Sequence, residues 1–148
     1  MIAKSTIEQY FNAGISAWEA GDEEEAEKQF AKADEHGSMK AGRYLGVIAL
    51  KRAAERGDIT SKVILGTLYE YGYAVPNDNE KAKEWYRSAL ADDHPNRDGF
   101  NLAAGADLGM GRLLLQEGNP EDASKHLNTV LSHGEPHLRR HAERWSKT

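Results

Sequence analysis

The sequence predicts an all-α protein of about seven or eight helices, paired into hairpins that repeat along the chain. Three observations predict it. Apolar residues recur at helical spacing through most of the chain and almost nowhere alternate in the manner of a strand. Gly, Pro, Asn and Asp cluster between the periodic stretches, where helix ends need them. The periodic stretches also echo one another, the mark of stacked repeat units.

Each element follows from local chemistry. Ile7, Tyr10, Phe11, Ala13, Ile15, Ala17 and Trp18 share helical spacing and predict a helix over 5–20. Ser5 is its expected N-cap, with Glu8 as the capping-box partner. Gly21 ends it, Asp22 caps a second helix to about His36 with Ala26, Phe30 and Ala33 inward, and Gly37 ends that one. Ser38 caps the next. Residues 38–57 contain no Gly, Pro or Asn between Val47 and Arg56, so they predict one long helix, or a helix with a late kink, and not a complete hairpin. Asp58 opens a helix to about Tyr71. The loop GYAVPNDN (72–79) leads into a helix over 80–92, DHPNRDG (93–99) breaks the chain, and a long helix is expected over 100–116. Asn119 as N-cap and Pro120 in the first helical position start a helix to about Ser132, and a short last helix takes residues 136–146. The expected core includes Phe30, Leu65, Leu68, Trp85 and Leu108.

Composition limits the function. The chain has 148 residues, enough for one domain with a real core, and no cysteine. Thiol chemistry, disulfides and zinc-thiolate sites are thereby excluded. Its formal net charge is −5, and residues 1–36 carry nine acids against three bases, whereas residues 133–148 carry four bases against two acids. No broad basic stripe is evident, so nucleic acid is not an expected partner. The stretch MIAKSTIEQYFNAG lacks the apolar region of a signal peptide, and no apolar run approaches a membrane span, so a cytoplasmic location and no membrane partner are expected.

Two stretches resemble known repeat families. In residues 10–33, Tyr10, Ala13, Gly14, Ala17, Gly21, Ala26, Phe30 and Ala33 fall at tetratricopeptide spacing. Residues 61–90 more closely resemble the Sel1-like family, through Leu65-Gly66, Tyr69, Gly72, Val75, Asp78, Lys81-Ala82, Trp85-Tyr86 and Ala89. Ser61, Ala74 and Leu90 depart from that pattern. The likeness is partial over 38–57 and 104–132. It implies a single domain over 1–148: a right-handed array of helical hairpins in units 5–37, 38–57, 58–93 and 99–133, closed by a capping helix at 136–146. The Leu-Gly pairs at 45–46, 65–66 and 108–109 lie 20 and 43 residues apart, so one unit is compressed and one stretched. In a helix interior each glycine costs roughly 1 kcal/mol against alanine. That cost is tolerable where a neighbouring helix or side chain comes close. Trp85 and Tyr86 are expected to fill the wedge between helices.

Motifs for chemistry are weak. His133, His137 and His141 are spaced by four, but Gly134 and Pro136 separate the first from the others, and HLRRH has no glutamate of the HExxH kind. No metal or cofactor is expected. GADLGMG (105–111) superficially echoes a dinucleotide fingerprint, yet it lies within a helical pattern with no preceding strand and reads as helix packing. No GxSxG elbow is present, and the serines sit at caps or on helix surfaces.

The expectation is therefore a non-enzymatic protein–protein interaction module, a scaffold, adaptor or chaperone that binds a protein or peptide. The resemblance implies a concave groove lined by the first helix of each hairpin. Its matching positions include Phe11 and Trp18, then Arg43, then Val63 and Tyr71, then Met110. Trp, Tyr and Arg are the types enriched at binding hot spots, which singles out Trp18, Arg43 and Tyr71. A narrower version is a small bacterial immunity or effector-chaperone protein that masks a toxin, its acidic first hairpin steering a basic target. The other classes are an enzyme, or the regulatory subunit of one, with its active site in the groove, and a structural homo-oligomer that self-associates through Ile2 to Tyr10 or WSKT. The expected state is a monomer or weak homodimer.

Overall fold

The computed structural model describes residues 3–147; Ile2 and Thr148, which belong to the two segments expected to self-associate, lie outside them. Among the described residues the protein is all-helical: helix takes 76% of them, in eight helices with no strand. The chain falls into two compact units, Met1–Arg52 and Ala53–Thr148, whose boundary lies within the third helix.

The first unit holds α1 (Lys4–Glu19), α2 (Glu23–Glu35) and most of α3 (Met39–Glu55). The α1–α2 turn follows the expected chemistry: Gly21 takes φ 81°, and Asp22 accepts a hydrogen bond from the Glu25 N–H at 3.1 Å. The α1 start does not. Its N-cap is Ala3, with no side-chain cap. The Ala3 carbonyl accepts from the N–H groups of Thr6 and Ile7, so the first turn closes upstream and Ser5 lies inside the helix. The expectation of an unbroken helix over 38–57 holds, with α3 capped by Ser38 Oγ on the Ala41 N–H at 3.2 Å.

Phe30 is fully buried and organises this core. Its ring stacks on Tyr44 at 4.8 Å between centroids, with Phe11 tilted against it at 5.8 Å. Gly14 makes room, since a Cβ there would sit 2.5 Å from the Phe30 ring. Charges close the side: Glu23 pairs with Lys51 at 2.9 Å and with Arg52, and Glu27 pairs with Arg52.

The second unit holds the end of α3, then α4 (Ile59–Tyr71), α5 (Asn79–Ala91), α6 (Ala104–Gln116), α7 (Pro120–His133) and α8 (Pro136–Ser146). α4 pairs with α5 and α6 with α7; α6 also packs on α4 and α5, and α8 covers α7 and α6. Asp58, Asp78 and Asn119 cap α4, α5 and α7 through the N–H groups of Ser61, Lys81 and Asp122. Helix α6 begins four residues later than the pattern over 100–116 suggests. Asn101 N–H bonds the His133 carbonyl, Leu102 N–H bonds the His94 carbonyl, and Asp93 Oδ1 takes the Ala103 N–H at 2.8 Å. These tertiary bonds hold 101–103 out of the helix.

The core of this unit differs from expectation at two places. Leu65 and Leu108 are buried, but Leu68 and Trp85 are only half-buried, and the residue that fills the wedge is Tyr86, at 0% exposure. Its ring lies between two helices at positions without side chains: a Cβ on Gly66 of α4 or on Gly109 of α6 would each come within 2.4 Å of it. GADLGMG is helix packing, as expected. Gly46, in the first Leu-Gly pair, is exposed and faces nothing within 4 Å, so its glycine has no packing reason.

Identical substitutions should thus have opposite effects. Gly66→Ala or Gly109→Ala should lower stability by about 1–3 kcal/mol through overpacking against Tyr86. Gly46→Ala should raise it by up to about 1 kcal/mol. Urea denaturation followed by circular dichroism reads both.

Candidate functional site

The most elaborate polar construction in the molecule begins at the Tyr86 hydroxyl. It donates to Glu70 Oε1 at 2.7 Å and lies 3.3 Å from Thr67 Oγ1. Both groups project from α4. Glu70 is also held in two-pronged fashion by Arg112 of α6, Nε to Oε2 at 2.9 Å and an Nη to Oε1 at 3.0 Å. The Glu70 side chain is 4% exposed and that of Arg112 13%, so this ion pair is largely out of water. Burial, and next the hydrogen bond to Glu70, push the Tyr86 hydroxyl well above its ordinary range. Burial would lower Arg112, but the bonded Glu70 carboxylate outweighs it and holds the guanidinium above its usual value. Both groups keep their protons, and the network is fixed scaffolding.

That scaffolding ends at the surface. The Arg112 guanidinium lies 5.6 Å from the centroid of the Tyr71 ring, and Tyr71 itself is 62% exposed. Two residues on, Tyr73 is 68% exposed. The turn that carries it is tied down. Gly72 adopts the left-handed conformation that favours glycine, and its N–H and that of Tyr73 both bond the Leu68 carbonyl, a helix-ending arrangement. The Asn77 amide donates to the carbonyls of Tyr69 and Glu70, Asp78 N–H bonds the Tyr69 carbonyl, and Val75 is buried. Ala74 has φ 68°, a conformation unusual for a residue with a Cβ. On α4, Ile64, Leu68 and Tyr71 follow at helical spacing, and Ile64 is 39% exposed. The result is an apolar stripe that ends in two tyrosines on a rigid base.

The residues expected at a groove are dispersed in role. Phe11 and Trp18 work inside the first unit: Phe11 packs on Phe30, and Trp18 meets Tyr44 edge-on at 5.9 Å under the Lys51 ammonium, 5.5 Å from its ring. Arg43 is exposed on α3. In the second unit, Val63 is half-buried and packs near Gly105, Tyr71 is exposed, and Met110 is a core residue at 3% exposure. Met110 offers no surface to a partner, because α6 is covered by α4, α5, α7 and α8. Ile64, Tyr73 and Arg112 were not expected. The two tyrosines of YGY flanking Gly72 were the available signal for Tyr73. Nothing local signals Arg112, which reaches Glu70 across 42 positions of sequence.

A second buried pair joins α6 to α7. Asp107, 4% exposed, meets His126 Nδ1 at 2.8 Å. Burial raises the Asp107 carboxyl, the hydrogen bond and charge of His126 pull it back, and Asp93 adds to the rise, leaving it above its usual value.

The chain matches no family model, no curated protein and no solved structure.

Two outcomes follow from these pairs. Glu70→Gln should cost about 3 kcal/mol in urea denaturation, because Arg112 then remains buried without its counter-charge. Asp107 holds its proton more tightly folded than unfolded. It therefore contributes stability in acid, and that contribution is lost as pH rises from the ordinary value of 3.8 through the raised folded one. Relative to Asp107→Asn, the wild-type protein should lose stability across that window in denaturation curves taken from acid towards neutrality.

Proposed function

We propose that the protein is a non-enzymatic interaction module of the tetratricopeptide or Sel1-like kind, which holds a segment of another protein. Its recognition surface in the second unit is the outward flank of α4 together with the turn after it. The observation that carries this reading is the pair Tyr71 and Tyr73, 62% and 68% exposed, on a backbone anchored by Gly72, Val75 and Asn77. Neighbouring aromatic rings exposed beside an apolar stripe are the kind of patch that a partner covers. Held this way, they offer contact area with little entropy left to lose on binding. Ile64 and Leu68 extend the apolar contact along α4, which suits an amphipathic helix or an extended segment with apolar side chains. In the first unit, Arg43 is an exposed directional donor and Trp18 a partly exposed aromatic already braced by Tyr44 and Lys51.

Capture on the immobilised protein from a lysate of the producing cell identifies the partner, and calorimetry then measures its affinity. Tyr71→Ala and Tyr73→Ala should each weaken binding by about 2 kcal/mol or more with unchanged helicity. Unchanged affinity in both would remove this surface from the reading, and a loss confined to Arg43→Glu would move recognition to the first unit.

A further inference from the structure

Helix α8 is two-faced. Leu138, Ala142 and Trp145 pack on Leu108, Leu127 and Val130, which accounts for its apolar side. The opposite side carries His137, Arg140, Arg144 and Lys147, all exposed, at intervals that align them in one row along the helix. Arg139 and His141 flank the row; the acid within the helix, Glu143, lies at its edge. Among the described residues no ion pair holds Arg139, Arg140, Arg144 or Lys147, and in the row only His137 has an acid beside it, Glu135 at 3.5 Å.

Helix stability does not explain these charges. Cations are favoured near a helix C-terminus, which covers Arg144 and Lys147. They are disfavoured near the N-terminus, yet Arg139 closes the first turn of α8, where the one acid is the N-cap residue Glu135, 3.5 Å from His137. Packing does not explain them either, since the side that packs is the other one.

We infer that the outward row of α8 is a docking site for an acidic segment of a protein, with carboxylates spaced to meet Arg140, Arg144 and Lys147. The three span eight residues, about 10 Å along the helix axis. An acidic helix with carboxylates at three- and four-residue intervals matches that length, and guanidinium groups take carboxylates in two-pronged bonds. Duplex nucleic acid fits less well. It is held through roughly six to ten phosphate contacts, and here one row of cations sits on a chain of net charge −5. A membrane surface also fits less well, because an interfacial helix inserts its apolar face, and that of α8 is already buried. The site stands apart from the tyrosine surface of α4, and the two proposals fail separately.

The test uses the whole chain and a fluorescently labelled peptide of about fifteen residues with glutamates at helical spacing, read by anisotropy at low salt. The wild-type protein should bind it saturably, and binding should weaken with salt. Arg140→Glu/Arg144→Glu, and the milder Arg140→Gln/Arg144→Gln should the reversal disturb the fold, should weaken binding by about tenfold or more. Glu143→Gln should strengthen it. Arg87→Glu/Arg97→Glu, on other exposed cations of the same unit, should leave it unchanged. The inference is overturned if the peptide does not bind, if binding survives both α8 double variants, or if it falls equally with Arg87→Glu/Arg97→Glu. It is also overturned if a short DNA duplex or phosphatidylserine vesicles bind more tightly than the peptide through the same arginines.

Discussion

The second unit is organised around one ring in a slot. Tyr86 projects from α5 into a space that exists only because α4 and α6 each present a glycine to it. Its hydroxyl needs an acceptor there, and Glu70 supplies one while binding Arg112 of α6. One side chain thus sets the approach of three helices and fixes the polar pair that joins two of them. Close packing tolerates little change in volume at such a place, and a buried polar network is stabilising only when every member is satisfied. Among the described residues no buried side-chain polar atom lacks a partner, in keeping with a network that is complete.

The same network shapes the surface. Glu70 and Tyr71 are neighbours on α4, so anchoring the first inward holds the second outward, with Arg112 beside its ring. The turn that follows is tied to the carbonyls of Tyr69 and Glu70. Packing and display are therefore consequences of one helix end. The first unit achieves its order differently, through stacked aromatics around Phe30 and the Glu23–Lys51 and Glu27–Arg52 pairs. Those pairs neutralise part of the acidic run that the sequence places at the start of α2, so less of it is free to steer a partner than its composition suggests.

What was legible in the sequence is what local chemistry decides. The caps at Asp22, Asp58 and Asn119, the glycines that end α1 and α2, and the continuity of α3 depend on residues a few positions apart. The start of α6 was not legible, because the bonds that delay it come from Asp93, His94 and His133. The pair Trp85-Tyr86 marks a wedge, but adjacent residues on a helix point about 100° apart, so only one of them enters it. Leu-Gly at 45–46 and at 65–66 look alike in sequence and differ in neighbour: Tyr86 stands over one and nothing over the other. Of the candidate surface, Tyr71 could be read from its residue type and place on the helix. Met110 was misplaced because an apolar residue on a first helix serves the core as readily as a groove, and Arg112 became significant only once α4 and α6 were side by side.

The slot around Tyr86 also constrains how this sequence can drift. Residues 66, 86 and 109 share one small volume, so a change at any of them alters what the others tolerate. A lineage that acquires alanine at 66 or 109 first passes through a crowded intermediate. One that first shortens residue 86 passes through a cavity that those alanines can then fill, but it leaves Glu70 with Arg112 and without the phenol. The order of mutations, and not only their sum, decides which descendants remain folded.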